Sequence, residues 1–316
     1  MSTPTSARRA PATGRVDVRK TYKLYIGGAF PRSESGRSYE VYAAPRGARG
    51  PDRTGTFLAN AAKGSRKDAR DAVVAARGAL KGWAGATAYN RGQVLYRIAE
   101  VMESRRSTFV DDVRAGEGLT PARADAVVSA AIDRWVWYAG WSDKFAQVTG
   151  NANPVAGPFF NVSVPEPTGV VAVLAPQGSS LLGLVSVIAP VIVTGNTCVV
   201  LPSQERPLPA IDLAEALATS DVPGGVVNIV TGHTAEVAPW LASHRDVNAI
   251  DLTGAAGVDG LAWGELEVAA AENLKRVLRP AGSGAGAVEE DFATRPGMSR
   301  MQAFVETKTV WHPKGR

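Results

Sequence analysis

Over residues 165–254 the chain repeats one pattern: a short run of β-branched residues, a glycine turn, a segment of helical length, then another run. The runs lie within 165–176, 195–201, 223–232 and 247–254. They are apolar throughout rather than alternating, so both faces of each must be covered. Strands of this kind separated by helix-length segments build a parallel sheet from strand–helix–strand units.

Composition narrows the function classes. A chain of 316 residues has room for one large domain or two smaller ones. In the first twenty residues Arg8, Arg9, Arg15, Arg19 and Lys20 face only Asp17, and that stretch reads as a disordered basic tail. No basic stripe interleaved with aromatics occurs elsewhere, which argues against nucleic acid as a partner. Cys198 is the only cysteine, so no internal disulfide can form, and a reducing, cytoplasmic setting is expected. The apolar run at 181–193 is too short for a membrane span and is interrupted by Pro190.

Residues 21–30 read as the opening of a strand pair that turns at Gly27-Gly28, with a return strand at 39–42 and a loop at 44–52. Ser65 and Asp68 have the spacing of a capping box, and Ala69, Ala72, Val73, Ala76 and Leu80 then recur at helical spacing. Further helices are expected over 89–113, 121–141, 212–219, 234–243 (capped by Thr234) and 265–278. Residues 151–158 read as a linker, 159–164 as an extended strand, and 279–286 as a second, flexible linker.

The blocks within 165–254, in their order and spacing, resemble the cofactor-binding domain of the aldehyde dehydrogenase superfamily. Leu24–Phe30 resembles that family's entry hairpin, Trp137–Trp141 the end of its long helix, and Glu306-Thr-Lys-Thr-Val-Trp311 its last strand. The resemblance implies an α/β fold: a Rossmann-like parallel sheet with flanking helices plus a small projecting β oligomerisation arm. The cofactor-binding-like part would be 21–150 with 165–278, and the arm 151–164 with 303–312. Residues 279–302 would then be a linker where the family has its catalytic domain. Phe159, Phe160, Val162, Val164, Thr307, Thr309 and Trp311 become candidate interface residues, with Thr307, Thr309 and Trp311 on one side of the strand.

The same resemblance locates what is missing. The family's nucleophilic thiolate lies in the absent domain, and Cys198 sits in an apolar strand. Laid on without gaps, the base falls on Pro280, the nearest following carboxylate being Glu289. The oxyanion donor falls on Gly178, beside Gln177, Ser179 and Ser180. No catalytic residue is assigned. Ribose contacts fall on Leu201 and Gln204, with Glu205 next to them, and the pyrophosphate contact on Ala255. Leu201, Gln204, Gly232, Gly254 and Ala255 are therefore vestigial cofactor candidates, with NAD or NADP held weakly if at all. His233, His244 and His312 stand apart from any second metal ligand. Two readings follow: a pseudoenzyme acting as scaffold or regulator, as a homo-oligomer or with a complete aldehyde dehydrogenase, or an NAD(P)-dependent oxidoreductase acting on aldehydes.

Overall fold

A computed structural model describes residues 19–45, 55–282, 288 and 290–314. Residues 1–18 of the disordered tail expected over 1–20, most of the 44–52 loop, and Glu289 lie outside the described residues, while Lys20, at the tail's end, is held by Asp212 and Glu215.

The chain opens with β1 (Thr21–Tyr22), β2 (Ser38–Tyr42) and β3 (Phe57–Ala62), a small sheet in the order β1-β3-β2. Gly27 and Gly28 turn the chain at φ 62° and 84°, a conformation that suits residues without a Cβ. Ahead of that turn Tyr25 bridges Ile229, so the entry segment also borders the main sheet. Helix α1 (Arg66–Gly85) starts on the expected box: Ser65 accepts from Lys67 and Asp68, and the Asp68 carboxylate accepts from Ser65 N.

The single helix expected over 89–113 is two, α2 (Ala88–Ser104) and α3 (Arg106–Glu117). Arg105 leaves helical geometry between them, and the Ser104 hydroxyl donates back to Val101 O, competing with the backbone ladder. The break lets Phe109 and Val113 reach the core while the Arg105 guanidinium pairs with Glu215. Helix α4 (Pro121–Trp141) is as expected, with Thr120 as cap and Pro121 in the first turn.

After the short α5 (Phe145–Thr149), β4 (Asn151–Asn153) occupies the first part of the stretch read as linker. It pairs antiparallel with β5 (Phe159–Pro167). Gly169, at φ 134°, then swings the chain into the main sheet, where a Cβ would stand 2.3 Å from Asn248 Oδ1. The sheet is built from β6 (Val170–Leu174), α6 (Leu182–Val193), β7 (Thr197–Leu201), α7 (Leu208–Ala218), β8 (Val227–Ile229), α8 (Thr234–Ser243), β9 (Ala249–Asp251), α9 (Trp263–Ala271) and β10 (Arg276–Leu278). All five strands are parallel, in the order β10-β9-β6-β7-β8.

Two of these elements differ from expectation. His233, not Thr234, is the residue before α8, and its side chain makes no cap bond. The helix expected over 265–278 ends at Ala271, because Leu274 takes a left-handed φ of 58° and Val277 then enters the sheet as β10.

The core has two layers, one on each face of the sheet. Val171, Val173, Cys198 and Val200 join α2, α4, α6 and α7; Val170, Ala172, Leu174, Val199 and Leu201 join α1 and α8. Each fully buried aliphatic side chain contributes about 1.5–3 kcal/mol, which is why the strands read as unbroken apolar runs.

Part of the expected 279–302 linker is packed. Phe292 is buried, and α10 (Ser299–Ala303) brings Met301 into the same core layer, followed by Phe304. Arg134 of α4 donates to Phe292 O and Thr294 O. Apolar side chains, not linker composition, decide the fate of this segment. The chain ends in β11 (Val305–Pro313), antiparallel to β5.

Candidate functional site

The chain builds β6, β7 and β8 outward on one side, then crosses to build β9 and β10 on the other. The order therefore reverses between β6 and β9, and a crevice outside their carboxyl ends is where sheets of this type bind ligands. Four loops meet there, following β6, β7, β8 and β9.

The vestigial cofactor candidates do converge on these loops. Leu201 ends β7 and is buried, its carbonyl accepting from Ala175 N at 2.9 Å. Gln204 is half-buried; its N donates to Gln177 Oε1 at 3.0 Å, and its own Oε1 accepts from Thr234 N at 3.3 Å. Gln204 thus supplies the cap that α8 lacks from its own flank. Gly232, at φ 143°, lies against Gly64, whose N donates to Thr231 O at 2.7 Å. A Cβ on Gly254 would fall 2.0 Å from Ala175 O, so the β9 loop presses directly on the end of β6. Ala255 is buried, and its N–H is spent on Leu252 O.

The loop after β6 is equally committed. The Gln177 amide nitrogen donates to Ala175 O, and Ser203 donates to Gln177 O. Arg206 donates to the carbonyl of the exposed Gly178. The Ser179 hydroxyl accepts from Gly183 N, and Ser180 donates through both N and Oγ to Glu117 Oε1 at 2.7 Å. Glu117, from the end of α3, is a site residue that periodicity and motif spacing had not singled out.

The β9 end holds the second omission. Asp251 is fully buried; its Oδ1 accepts from Thr253 N, and its Oδ2 lies 3.0 Å from Arg300 NH1 on α10. Arg300 also donates to Thr253 Oγ1 at 3.0 Å, pairs with Glu290 and stacks 5.6 Å from the Phe292 ring centroid. Burial holds the Asp251 carboxyl above its usual range, with Arg300 opposing the rise. An aspartate inside an apolar strand calls for a cationic partner, and that signal was present in the sequence.

The other candidates lie apart. Cys198 is in mid-strand, fully buried, and burial pushes its thiol far above the usual range, leaving no thiolate. Pro280 is buried beyond β10. Among the described residues no group of three or more His, Cys, Asp or Glu side chains is placed to hold a metal ion. None of their helices is long and apolar enough to cross a membrane.

A carboxyl pair sits elsewhere, between α3 and α7, with Asp212 buried and Asp112 half-buried. Asp112 faces Asp212, and one oxygen of each lacks a partner. Burial and this neighbour push the Asp112 carboxyl up to about 9. Lys20 closes the cluster from the entry segment, 3.1 Å from Asp212 and 2.5 Å from Glu215.

The arm is a three-stranded sheet in the order β11-β5-β4. Val310 pairs with Val162 and Thr309 with Ser163, so alternate residues share a face. Asn153, Asn161, Ser163 and Thr309 form a hydrogen-bonded row, beyond which Phe159 meets Trp311 edge-on at 5.8 Å. Thr307, Thr309 and Trp311 lie on this side, as the alternation implied. Phe160, Val162, Val164 and Val310 form the opposite, largely exposed face, where Lys308 pairs with Glu166. The arm's root is fixed: Asn196 donates to Phe304 O and accepts from Gly169 N.

A family model described as "Aldehyde dehydrogenase family" matches residues 48–289. A cytosolic aldehyde dehydrogenase of Elephantulus edwardii is 30% identical over 279 residues, covering 87% of this chain and 52% of its own length. The solved HpcC of Thermus thermophilus superposes with a TM-score of 0.74 at 27% identity, over 83% of this chain and 48% of that one. The NAD+ complex of a Bacillus cereus aldehyde dehydrogenase gives 0.72 at 26%, over 82% and 50%. The chain thus spans about half the length of the relatives it matches.

Proposed function

The chain belongs to the aldehyde dehydrogenase family, and on that premise we propose that it is a non-catalytic member that acts as a scaffold or regulatory subunit. Its arm would engage a complete aldehyde dehydrogenase. One observation carries the reading: the polar groups at the ends of β6, β7 and β9 bond to one another and to α3 and α10. Gln177, Ser179, Ser180, Gln204, Asp251 and Thr253 all have partners within the chain. A site that stabilises a developing charge needs donors aimed at the reacting atoms, whereas the Gln177 amide and the Ser180 and Thr253 hydroxyls donate within the protein.

The residues do not fit a tight nicotinamide dinucleotide site. Leu201 offers no donor, the Gln204 amide oxygen caps α8, and the Ala255 N–H closes a turn. That misfit makes the oxidoreductase reading the lesser of the two. For a partner the chain offers the arm, with Phe160 and Trp311 more than half exposed, at 60% and 57%. Native mass spectrometry of the untagged chain from its own cell tests the proposal. A mixed assembly with a full-length relative supports it; a lone chain that oxidises aldehydes overturns it.

A further inference from the structure

Lys275 is an unusual lysine. It lies in the turn between α9 and β10, is only 7% exposed, and lines a groove of about 600 Å3 with Glu267, Ala271, Val277, Leu278 and Arg279. Lysines ordinarily carry the ammonium out into water; this one is folded back. The left-handed Leu274 sets the turn, and Lys275 N bonds to Ala270 O at 3.1 Å.

The amine's hydrogen-bond partner is the Asn273 side-chain oxygen. Asn273 Nδ2 donates to Arg245 O at 3.1 Å, which fixes the amide with its oxygen toward the lysine. The carboxylate in the groove wall, Glu267, is engaged by Arg279 at 2.6 Å. Glu272 favours the ammonium through space, but burial is the stronger influence and lowers the Lys275 pKa. The direct acceptor is a neutral amide oxygen, which favours the ammonium less than a carboxylate at the same place would. A desolvated lysine of this kind is a nucleophile. Ala271, Val277 and Leu278 give the groove an apolar wall suited to a short alkyl chain.

We propose that Lys275 is a carbonyl-capturing lysine that condenses with small aliphatic aldehydes held in this groove. Nζ attacks the carbonyl carbon and the C–N bond forms. The carbonyl oxygen takes up two protons and leaves as water as the C=N bond closes. One amine and one aldehyde give one imine and one water, with no oxidant or reductant. The proposal does not depend on the scaffold reading, because it needs neither cofactor nor partner.

The test uses the full chain, hexanal below one equivalent, and cyanoborohydride to fix any imine. Peptide mass spectrometry then maps the alkylated lysines at several pH values. Lys275 should be labelled ahead of the exposed Lys81, and its labelling should persist to lower pH. Ala271→Phe, which narrows the groove and keeps the amine, should abolish the preference while the circular dichroism spectrum is retained. Lys275→Arg should remove that site without raising labelling elsewhere. Labelling spread over exposed lysines with Lys275 unmodified overturns the proposal, as does an unchanged preference in Ala271→Phe. If neither variant folds, the pH profile and site map of the natural chain decide it alone.

Discussion

Arg300 on α10 lies 3.0 Å from Asp251 at the carboxyl end of β9, and the carboxylate is fully buried. The pair joins the segment leading into the arm to the sheet at its topological reversal. Removing one member of a buried pair leaves the other charge without compensation, at about 3 kcal/mol or more.

Arg300→Met should therefore lower the denaturation midpoint strongly at pH 8. The loss should shrink at pH 5. Burial already holds the Asp251 carboxyl above its usual range, and without Arg300 it rises further, so in acid it takes up a proton and needs no cation. Urea unfolding at the two pH values measures this. A wild-type midpoint at pH 8 would show that the pair contributes nothing.

The Asp112–Asp212 pair makes a separate prediction about alkali. The Asp112 carboxyl, pushed up to about 9, keeps a proton in the folded chain that the unfolded chain sheds above about 4. Its contribution to stability is present in full below the lower value and is lost as pH rises through the upper one. Asp112→Asn keeps the shape, offers Asp212 a permanent donor and removes the titration. Its melting temperature should exceed the wild type's at pH 8, by at least about 1 kcal/mol in stability, and should depend less on pH. Thermal melts from pH 5 to 9 are the check, and parallel curves would exclude the pair as their cause.

The sheet was legible in the sequence because each strand is local and apolar on both faces. The pairing of β5 with β11 was legible only through family resemblance, since contacts between residues 142 apart, such as the ion pair of Lys308 with Glu166, leave no local periodicity. The cluster at the crevice was legible only in that Asp251, set in an apolar strand, calls for a cationic partner; which residues supply the cluster was not. Glu117, Asp251 and Arg300 meet through tertiary packing, and none lies in a recurring spacing with another. The break at Arg105 was hidden for a different reason: the apolar stripe continues through it, and periodicity alone does not see a residue that leaves the helix.

Cofactor affinity should be low. Leu201, Gln204 and Ala255 each remove a polar contact of the kind the family resemblance implies, at about 1 kcal/mol apiece. Three such losses weaken binding by on the order of a hundredfold. Calorimetry with NAD and NADP should give dissociation constants above the low-micromolar range. Purified chain with aldehydes should form no NADH or NADPH above a Cys198→Ser control. Low-micromolar binding would shift the weight to the oxidoreductase reading.

The arm can be removed without dismantling the core. Met301 and Phe304 are buried and stand before β11, and Arg300 with its Asp251 contact stands before them. Truncation after Val305 therefore keeps the packing of α10 and deletes nearly all of β11. What is lost is the outer strand of the arm and its exposed residues, Val310 and Trp311 among them. The truncated chain should retain its helical circular dichroism signal and cooperative melt. It should also lose any full-length aldehyde dehydrogenase that co-purifies with the intact chain, because the newly bared edge of β5 presents unpaired backbone without the side chains that would select a partner. A milder variant, Phe160→Glu with Val162→Lys, leaves β11 in place and charges the apolar face. It should release the same partner without affecting the fold. Retention of the partner in the same ratio by both variants would place the interface elsewhere on the chain.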